Sequence, residues 1–286
     1  MASTTPALHT LTRSRLRSLV WPREHGAWGM LLVPLVTGAS VGHPDGERLV
    51  WVLLSAAVAL GLFCLRTPVE AWLGISPLRP QNDAERRLIH YSIYTYASFA
   101  GLALGVLLVW ARAYGLLLLG AAAATAFLVQ AILKQLGRET RMNAQLTGAV
   151  ALTSTAAGAY YLAAGRLDRT AVIVWAANWL FAANQIHFVQ LRIHSARVMT
   201  PAEKIVRGQG FLLHEAFSLL LLGMAWRAGW LPGLALVAFA PVFFRGLAWF
   251  VESPRPLQVH RLGASLFLRW SSEGCSLRAT TSDFRR

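Results

Sequence analysis

Long apolar runs separated by short polar stretches are the feature that most constrains how this chain folds. Each run holds roughly 16 to 22 residues, and about 20 consecutive apolar residues cross the hydrocarbon layer of a membrane as an α-helix. The composition agrees, because the 286 residues are 55% hydrophobic and only 14% charged, which is too apolar for an ordinary soluble domain. We therefore predict an all-α protein that is a polytopic transmembrane helical bundle.

About eight of these runs are long enough to be spans. They divide the chain into a cytoplasmic basic arm over 1–22, a transmembrane domain over 23–252 and a polar, basic C-terminal tail over 253–286. The second span is predicted to end before Pro68. The long connection over 66–90 that follows it is either a short interfacial helix that caps a cytoplasmic cavity or an ordinary solvated loop. The predicted spans are 26–41, 49–65, 91–110, 115–133, 146–164, 170–191, 211–226 and 229–250.

Lys and Arg residues alternate between rich and poor segments along the chain, and this alternation predicts the orientation. The arm, the tail and the connections after the second, fourth and sixth spans are rich in them, whereas the other connections hold one or two. Both ends of the chain are therefore predicted to be cytoplasmic. Topology and anionic lipid explain the net charge of +14, so membrane lipid is a predicted partner and nucleic acid is not.

Small residues crowd the fourth and fifth spans, over 120–125 and 153–159. Small side chains let the backbones of neighbouring membrane helices approach closely. These two helices are therefore predicted to lie in the interior of the bundle.

Ionisable and amide side chains gather toward the cytoplasmic ends of the spans, where we predict a cytoplasm-facing cavity. Such groups are costly in lipid and usually face a cavity or a partner. Asn178, Gln185 and Arg192 recur every seven residues in the sixth span, so they form a stripe predicted to face the bundle interior. The catalytic candidates are Glu70, His214 and Glu215, and the predicted substrate-binding residues are Arg23, Glu24, His25, Arg66, Asn178, Asn184, Gln185, His187 and Arg192.

Structural roles for the same residues stay open. Arg66 and Arg192 stand at helix ends, where long basic side chains commonly reach toward lipid headgroups. His214 and Glu215 could form a hydrogen-bonded pair within the bundle. A zinc site is disfavoured because the histidines show no tight ligand spacing, and we predict no metal and no cofactor.

Three segments resemble the YwiC-like family of bacterial membrane proteins. They begin at Pro22-Arg-Glu-His-Gly-Ala-Trp, Asn184-Gln-Ile-His-Phe-Val-Gln and Pro256-Leu-Gln-Val-His-Arg, so the resemblance extends over about 20–263. It implies a multi-pass protein of the bacterial plasma membrane, and an architecture rather than an activity. The family is expected to continue past Gly263 with a ninth apolar helix. Here a polar tail follows instead, so this helix is expected to be missing or degraded, through divergence or through a truncated or frame-shifted end.

The arrangement also resembles, at the level of fold, the UbiA superfamily of membrane prenyltransferases. That resemblance implies diphosphate-binding loops after the second and sixth helices. Those enzymes hold magnesium with repeated aspartates, but no Asp-x-x-x-Asp motif occurs here, and Asn82-Asp83 is the nearest remnant. Magnesium needs hard oxygen ligands, so metal-dependent diphosphate chemistry is disfavoured. An anionic ligand could still be held without metal by Arg23, Arg66, Arg192 and His187, whose donors match phosphate or carboxylate oxygens.

Three functions are compatible with these patterns. The first is to bind or transform an amphipathic, anionic molecule that carries an isoprenoid or a phosphate, as a UbiA-like transferase without the usual aspartates if the protein is an enzyme. The second is transport of a small solute or ion, for which Asn178 is the deepest polar candidate. The third is a non-catalytic membrane scaffold with basic loops as docking surfaces. Protein partners and substrate identity are left open.

Overall fold

Helices make up nearly all of the regular structure in a computed structural model that describes residues 15–22, 25–76, 78–137, 139–195, 200–231 and 233–251. The predicted C-terminal tail and the missing ninth helix lie outside these residues. We number the main helices α1 to α9. Their bounds are α1 His25–Gly42, α2 Gly46–Trp72, α3 Asp83–Val109, α4 Gly115–Gln135, α5 Arg141–Thr153, α6 Thr155–Ala164, α7 Arg169–His194, α8 Pro201–Arg227 and α9 Gly233–Val251.

The helices agree with the predicted spans. Helices α2, α3, α4, α7 and α8 are each long and apolar enough to cross a membrane, and α1 and α9 are shorter apolar helices. The predicted fifth span consists of α5 and α6, which are separated at Ser154. Every predicted span therefore overlaps helix, and the prediction of an all-α, multi-pass membrane protein is confirmed.

Two details of the predicted spans are wrong. Helix α2 does not stop before Pro68 but continues through it to Trp72, which shortens the following connection. Proline is tolerated within membrane helices because neighbouring groups and local adjustments satisfy the freed carbonyl. The small residues over 120–125 of α4 are half-buried or exposed rather than interior. Small side chains permit close approach of another helix, but residues 120–125 become buried only if a helix packs against that face of α4.

The chain divides into two compact units. Unit 1 comprises residues 1–183 and 222–233, and unit 2 comprises 184–221 and 234–286. Within unit 1 the most extensive packing joins α2 to α3, α1 to α6 and α4 to α5. A Cβ added at Gly38 of α1 would overlap the Ala156 carbonyl oxygen of α6, so only glycine permits this approach. The small residues over 153–159 of the fifth span are buried, as predicted, except for the half-buried Ser154 and Thr155.

A short helical segment over 15–20 packs on unit 1. Leu19 is 1% exposed and forms a buried cluster with Ala71 and Ile89. The Arg15 guanidinium lies 2.9 Å from the Glu85 carboxylate and also donates to the Arg79 carbonyl oxygen. Part of the predicted basic arm is thus anchored by an apolar contact and by an ion pair.

Unit 2 is built from the last part of α7, most of α8 and nearly all of α9. Its apolar core consists of Phe188, Leu191, Phe211 and Trp249, with Phe250 packed against them. Lys204 is buried on α8 and donates a hydrogen bond of 2.9 Å to the Trp249 carbonyl oxygen in the last turn of α9. A cation at this position interacts favourably with the carbonyls of a last helical turn.

Candidate functional site

Polar residues of α7 begin the candidate site in unit 2. Asn184, His187 and Phe188 follow one another at helical spacing, so they share one face of α7. Asn184 is only 2% exposed, which makes it one of the most buried polar side chains in the described part of the chain. Gln185 extends this polar stretch toward α9.

Helix α8 contributes His214, Glu215 and Ser218. The His214 ring stacks on the His187 ring, with centroids 4.2 Å apart and planes inclined by 17°. Glu215 is 3% exposed and Ser218 is 1% exposed, so both polar groups lie inside an otherwise apolar helix surface. The Asn184 amide and the Arg245 guanidinium lie near the Glu215 carboxylate.

Helix α9 supplies Arg245 and Gly246. Arg245 donates a hydrogen bond to the Gln185 side-chain oxygen, and its guanidinium lies over the Phe188 ring at 4.4 Å from the centroid. This contact is a cation–π interaction, which orients a guanidinium in an apolar setting. A Cβ added at Gly246 would come within 2.6 Å of Glu215 Oε1, so α9 approaches α8 closely at the carboxylate.

Many polar atoms of these helices are buried without a hydrogen-bond partner among the described residues. They include both oxygens of Glu215, the amide oxygen and nitrogen of Asn184, and Ser218 Oγ. Gln185 Nε2, His214 Nε2 and Arg245 Nε share this condition. We call the set Asn184, Gln185, His187, His214, Glu215, Ser218 and Arg245 the unit 2 cluster. Arg192 Nε is likewise buried and unpaired in unit 2.

Other predicted site residues lie in unit 1. Glu70 Oε1 accepts from Arg66 Nε and from Lys134 Nζ, each at 2.8 Å, so two cations engage the same carboxylate oxygen. Asn178 donates its amide to the Val174 carbonyl oxygen at 2.9 Å, one turn earlier in the same helix. Asn178 and Glu70 therefore have structural partners.

The remaining predicted residues cannot be placed in the site. Arg23 and Glu24 lie outside the described residues. His25 is the first residue of α1, and its side chain is not described. The stripe that joins Asn178 to Gln185 and Arg192 is divided, because Asn178 belongs to unit 1 and the other two belong to unit 2.

A cavity of about 420 Å³ lies in unit 1, bordered by Arg48, Trp51 and Tyr161. Its main cation is already used, because Arg48 Nη1 donates to the Ala163 carbonyl oxygen at 3.0 Å near the end of α6. Asp45 accepts from the Arg48 backbone N–H as the N-cap of α2. These polar groups close helix ends, so the cavity is a weaker candidate than the unit 2 cluster.

Ser218, Arg245 and Gly246 were missed as site residues from the sequence. Arg245 carried a signal, since it is a lone arginine inside an apolar helix. Ser218 and Gly246 carried none, because serine and glycine are common in membrane helices. Among the described residues, no group of three or more His, Cys, Asp or Glu is arranged to hold a metal ion.

Comparison with known proteins gives one family. Residues 21–161 match the model of a family described as YwiC-like protein. No curated protein and no solved structure matches the chain. The matched segment ends before α7, so the unit 2 cluster lies beyond it. The resemblance to the UbiA superfamily stays a prediction.

Proposed function

We propose that this chain, whose residues 21–161 match the YwiC-like family model, uses the unit 2 cluster to bind the polar head of an amphipathic molecule that bears an anionic group. The head would lie among Asn184, Glu215 and Arg245. The apolar part of the molecule would lie along the helices. An isoprenoid or another lipid that bears a phosphate has this chemistry.

The observation that carries the proposal is the concentration of unpaired polar atoms on three helices of one unit. A buried donor or acceptor without a partner costs about 1–3 kcal/mol, and more if it is charged. Several such groups together are costly for a fold unless something pairs with them. Intramembrane polar residues of this kind usually mark a binding or transport site.

Arginine suits the anionic part of the ligand. Arg245 is oriented by Gln185 and Phe188, and its Nε–H stays unpaired among the described residues. A guanidinium forms charge-assisted hydrogen bonds to phosphate or carboxylate oxygens, which are stronger than neutral ones. Preorganised donors of this kind also stabilise charge that develops on a leaving phosphate.

If the bound molecule is transformed, Glu215 or His214 would be the general base, since both carry unpaired atoms in the cluster. Glu70 is less suited to this role because Arg66 and Lys134 already engage it. The transport alternative depended on Asn178, whose amide is used within α7. No contact among the described residues specifically favours the third function, a non-catalytic membrane scaffold.

Native mass spectrometry of the protein in mild detergent tests the proposal. We expect a retained lipid that bears a phosphate in the unaltered protein, its loss in Arg245→Gln, and its retention in the matched variant Arg66→Gln. The control removes a half-buried guanidinium from unit 1 instead of unit 2. An unaltered protein that carries no small molecule would refute the proposal. Loss in Arg66→Gln alone would assign the ligand to unit 1.

We further propose that the protein resides in the bacterial plasma membrane with both ends in the cytoplasm, as the distribution of Lys and Arg suggests. The chain has two cysteines, Cys64 and Cys275, and Cys64 is buried in α2. In a Cys64→Ala variant, a membrane-impermeant maleimide should label Cys275 only after the membrane is opened. Labelling of intact spheroplasts would place the C-terminal end outside.

A further inference from the structure

We propose that the head group bound by the unit 2 cluster is zwitterionic, with a primary ammonium for Glu215 and Asn184 beside a phosphate for Arg245. This inference rests on the proposed function: it keeps the phosphate as the anionic group and adds an ammonium to the same head group. The same chemistry occurs in the headgroup of an aminophospholipid and in a free phosphorylated amine.

The unpaired acceptors indicate that the ligand carries hydrogen-bond donors. Glu215 Oε1 and Oε2 and Asn184 Oδ1 are buried without a donor among the described residues. A phosphate ester in its ionised form only accepts hydrogen bonds, so it cannot pair with these three oxygens. A ligand that pairs with them must carry N–H or O–H groups. A primary ammonium offers three donors on one atom.

The unpaired donors indicate that the ligand also carries an anionic acceptor group. Asn184 Nδ2, Gln185 Nε2 and Arg245 Nε are buried without an acceptor in the described residues. They match the oxygens of an anionic group. Donors and acceptors thus stand side by side, and Asn184 presents both. A ligand with only one kind of group would leave half of the cluster unpaired.

Charge supports the same conclusion. The cluster places one carboxylate, Glu215, in the field of one guanidinium, Arg245. A dipolar head group complements this arrangement, whereas a purely anionic head would bring a second negative charge toward Glu215. Like charges repel strongly where water is scarce, because the effective dielectric constant is low.

Packing holds the acceptor in place. Gly246 leaves room for Glu215 Oε1 against the backbone of α9, and Phe211 fills the adjoining space. The stacked His187 and His214 rings lie on the neighbouring turn. Glu215 therefore has little freedom to turn away, and a ligand must bring its donor to the carboxylate.

The test compares two lipids with the same acyl chains, phosphatidylethanolamine and phosphatidylcholine, added to the delipidated protein and measured by native mass spectrometry. The first has a primary ammonium, and the second has a quaternary ammonium with no N–H. We expect the first to bind at least about tenfold more tightly. In Glu215→Gln the two affinities should become similar, while thermal unfolding reports that the variant is folded.

The outcomes separate the two proposals. Equal binding of both lipids by the unaltered protein, with loss of both in Arg245→Gln, would overturn the zwitterion inference and keep the proposed function. Binding of neither lipid, together with no displacement of any ligand by free phosphoethanolamine, would overturn both. Competition by free phosphoethanolamine at the lipid's own concentration would support the inference and identify a soluble zwitterion as the source.

Discussion

Replacing Gly246 with alanine should destabilise unit 2 and weaken ligand retention together. The new Cβ would lie 2.6 Å from Glu215 Oε1 and 2.6 Å from Phe211 Cζ, closer than real Cβ contacts. Both neighbours are buried, so neither can move aside into open space. Overpacking of this kind costs about 1–3 kcal/mol.

The net effect also includes helix propensity, which favours alanine over glycine by about 1 kcal/mol. Because two buried side chains must shift at once, we take the upper part of the overpacking range and expect a net loss of about 1–2 kcal/mol. At about 2–4 °C per kcal/mol for a domain of this size, the apparent melting temperature should fall by roughly 2–8 °C. Tryptophan fluorescence during heating measures it, since the chain has 11 Trp residues.

A matched control lies in the same unit. Gly210 on α8 has no atom within 4 Å of an added Cβ, so Gly210→Ala should keep or slightly raise the melting temperature. A Gly246→Ala protein as stable as this control would refute the close approach of α9 to Glu215. Undiminished retention of the bound lipid in Gly246→Ala would separate that approach from the binding site.

Three further predictions follow from other contacts. Gly38→Ala should destabilise unit 1 by about 3 kcal/mol, because its Cβ meets a backbone carbonyl of α6, whereas Gly29→Ala on the same helix meets nothing within 4 Å and should be neutral in thermal unfolding. Lys204→Met should cost about 1.5–3 kcal/mol in the same assay, since it removes a charge-assisted hydrogen bond to the Trp249 carbonyl oxygen, and an unchanged melting temperature would contradict that role. Desolvation of Asp168 is outweighed by hydrogen bonds, led by the Thr170 N–H, so its pKa is lowered below 3.8. Its contribution to stability should be present at neutral pH and disappear as the pH falls through the lowered pKa, and a difference from Asp168→Asn that persists in stronger acid would contradict this.

The membership of the site could be read only in part from the sequence. His214 and Glu215 were selected because ionisable groups in a membrane helix are costly. The same rule also selected Glu70 and Asn178, which the structure pairs with cations and with a backbone carbonyl. The high free energy of a polar side chain in lipid identifies residues that need a partner. It does not tell whether that partner is another group of the protein or a ligand.

The seven-residue spacing also failed to predict which residues share a site. A repeat of seven residues placed Asn178, Gln185 and Arg192 on one stripe of α7, and this geometry is correct for a helix. Yet the helix passes from unit 1 to unit 2 between Ala183 and Asn184. Residues on one stripe therefore meet different neighbours at different heights.

The all-helical, membrane-spanning architecture was determined by the sequence alone. Hydropathy is a property of each local segment, and a segment in lipid must satisfy its own backbone hydrogen bonds, which a helix does. Capping residues such as Asp45 and Asn82 are local in the same sense. Only the tertiary structure decided that Asn184, Glu215 and Arg245 meet, because that depends on how three helices are rotated and which of them are neighbours. Rotation and pairing are set by packing between segments far apart in the chain, such as the close approach at Gly246, and no local pattern encodes them.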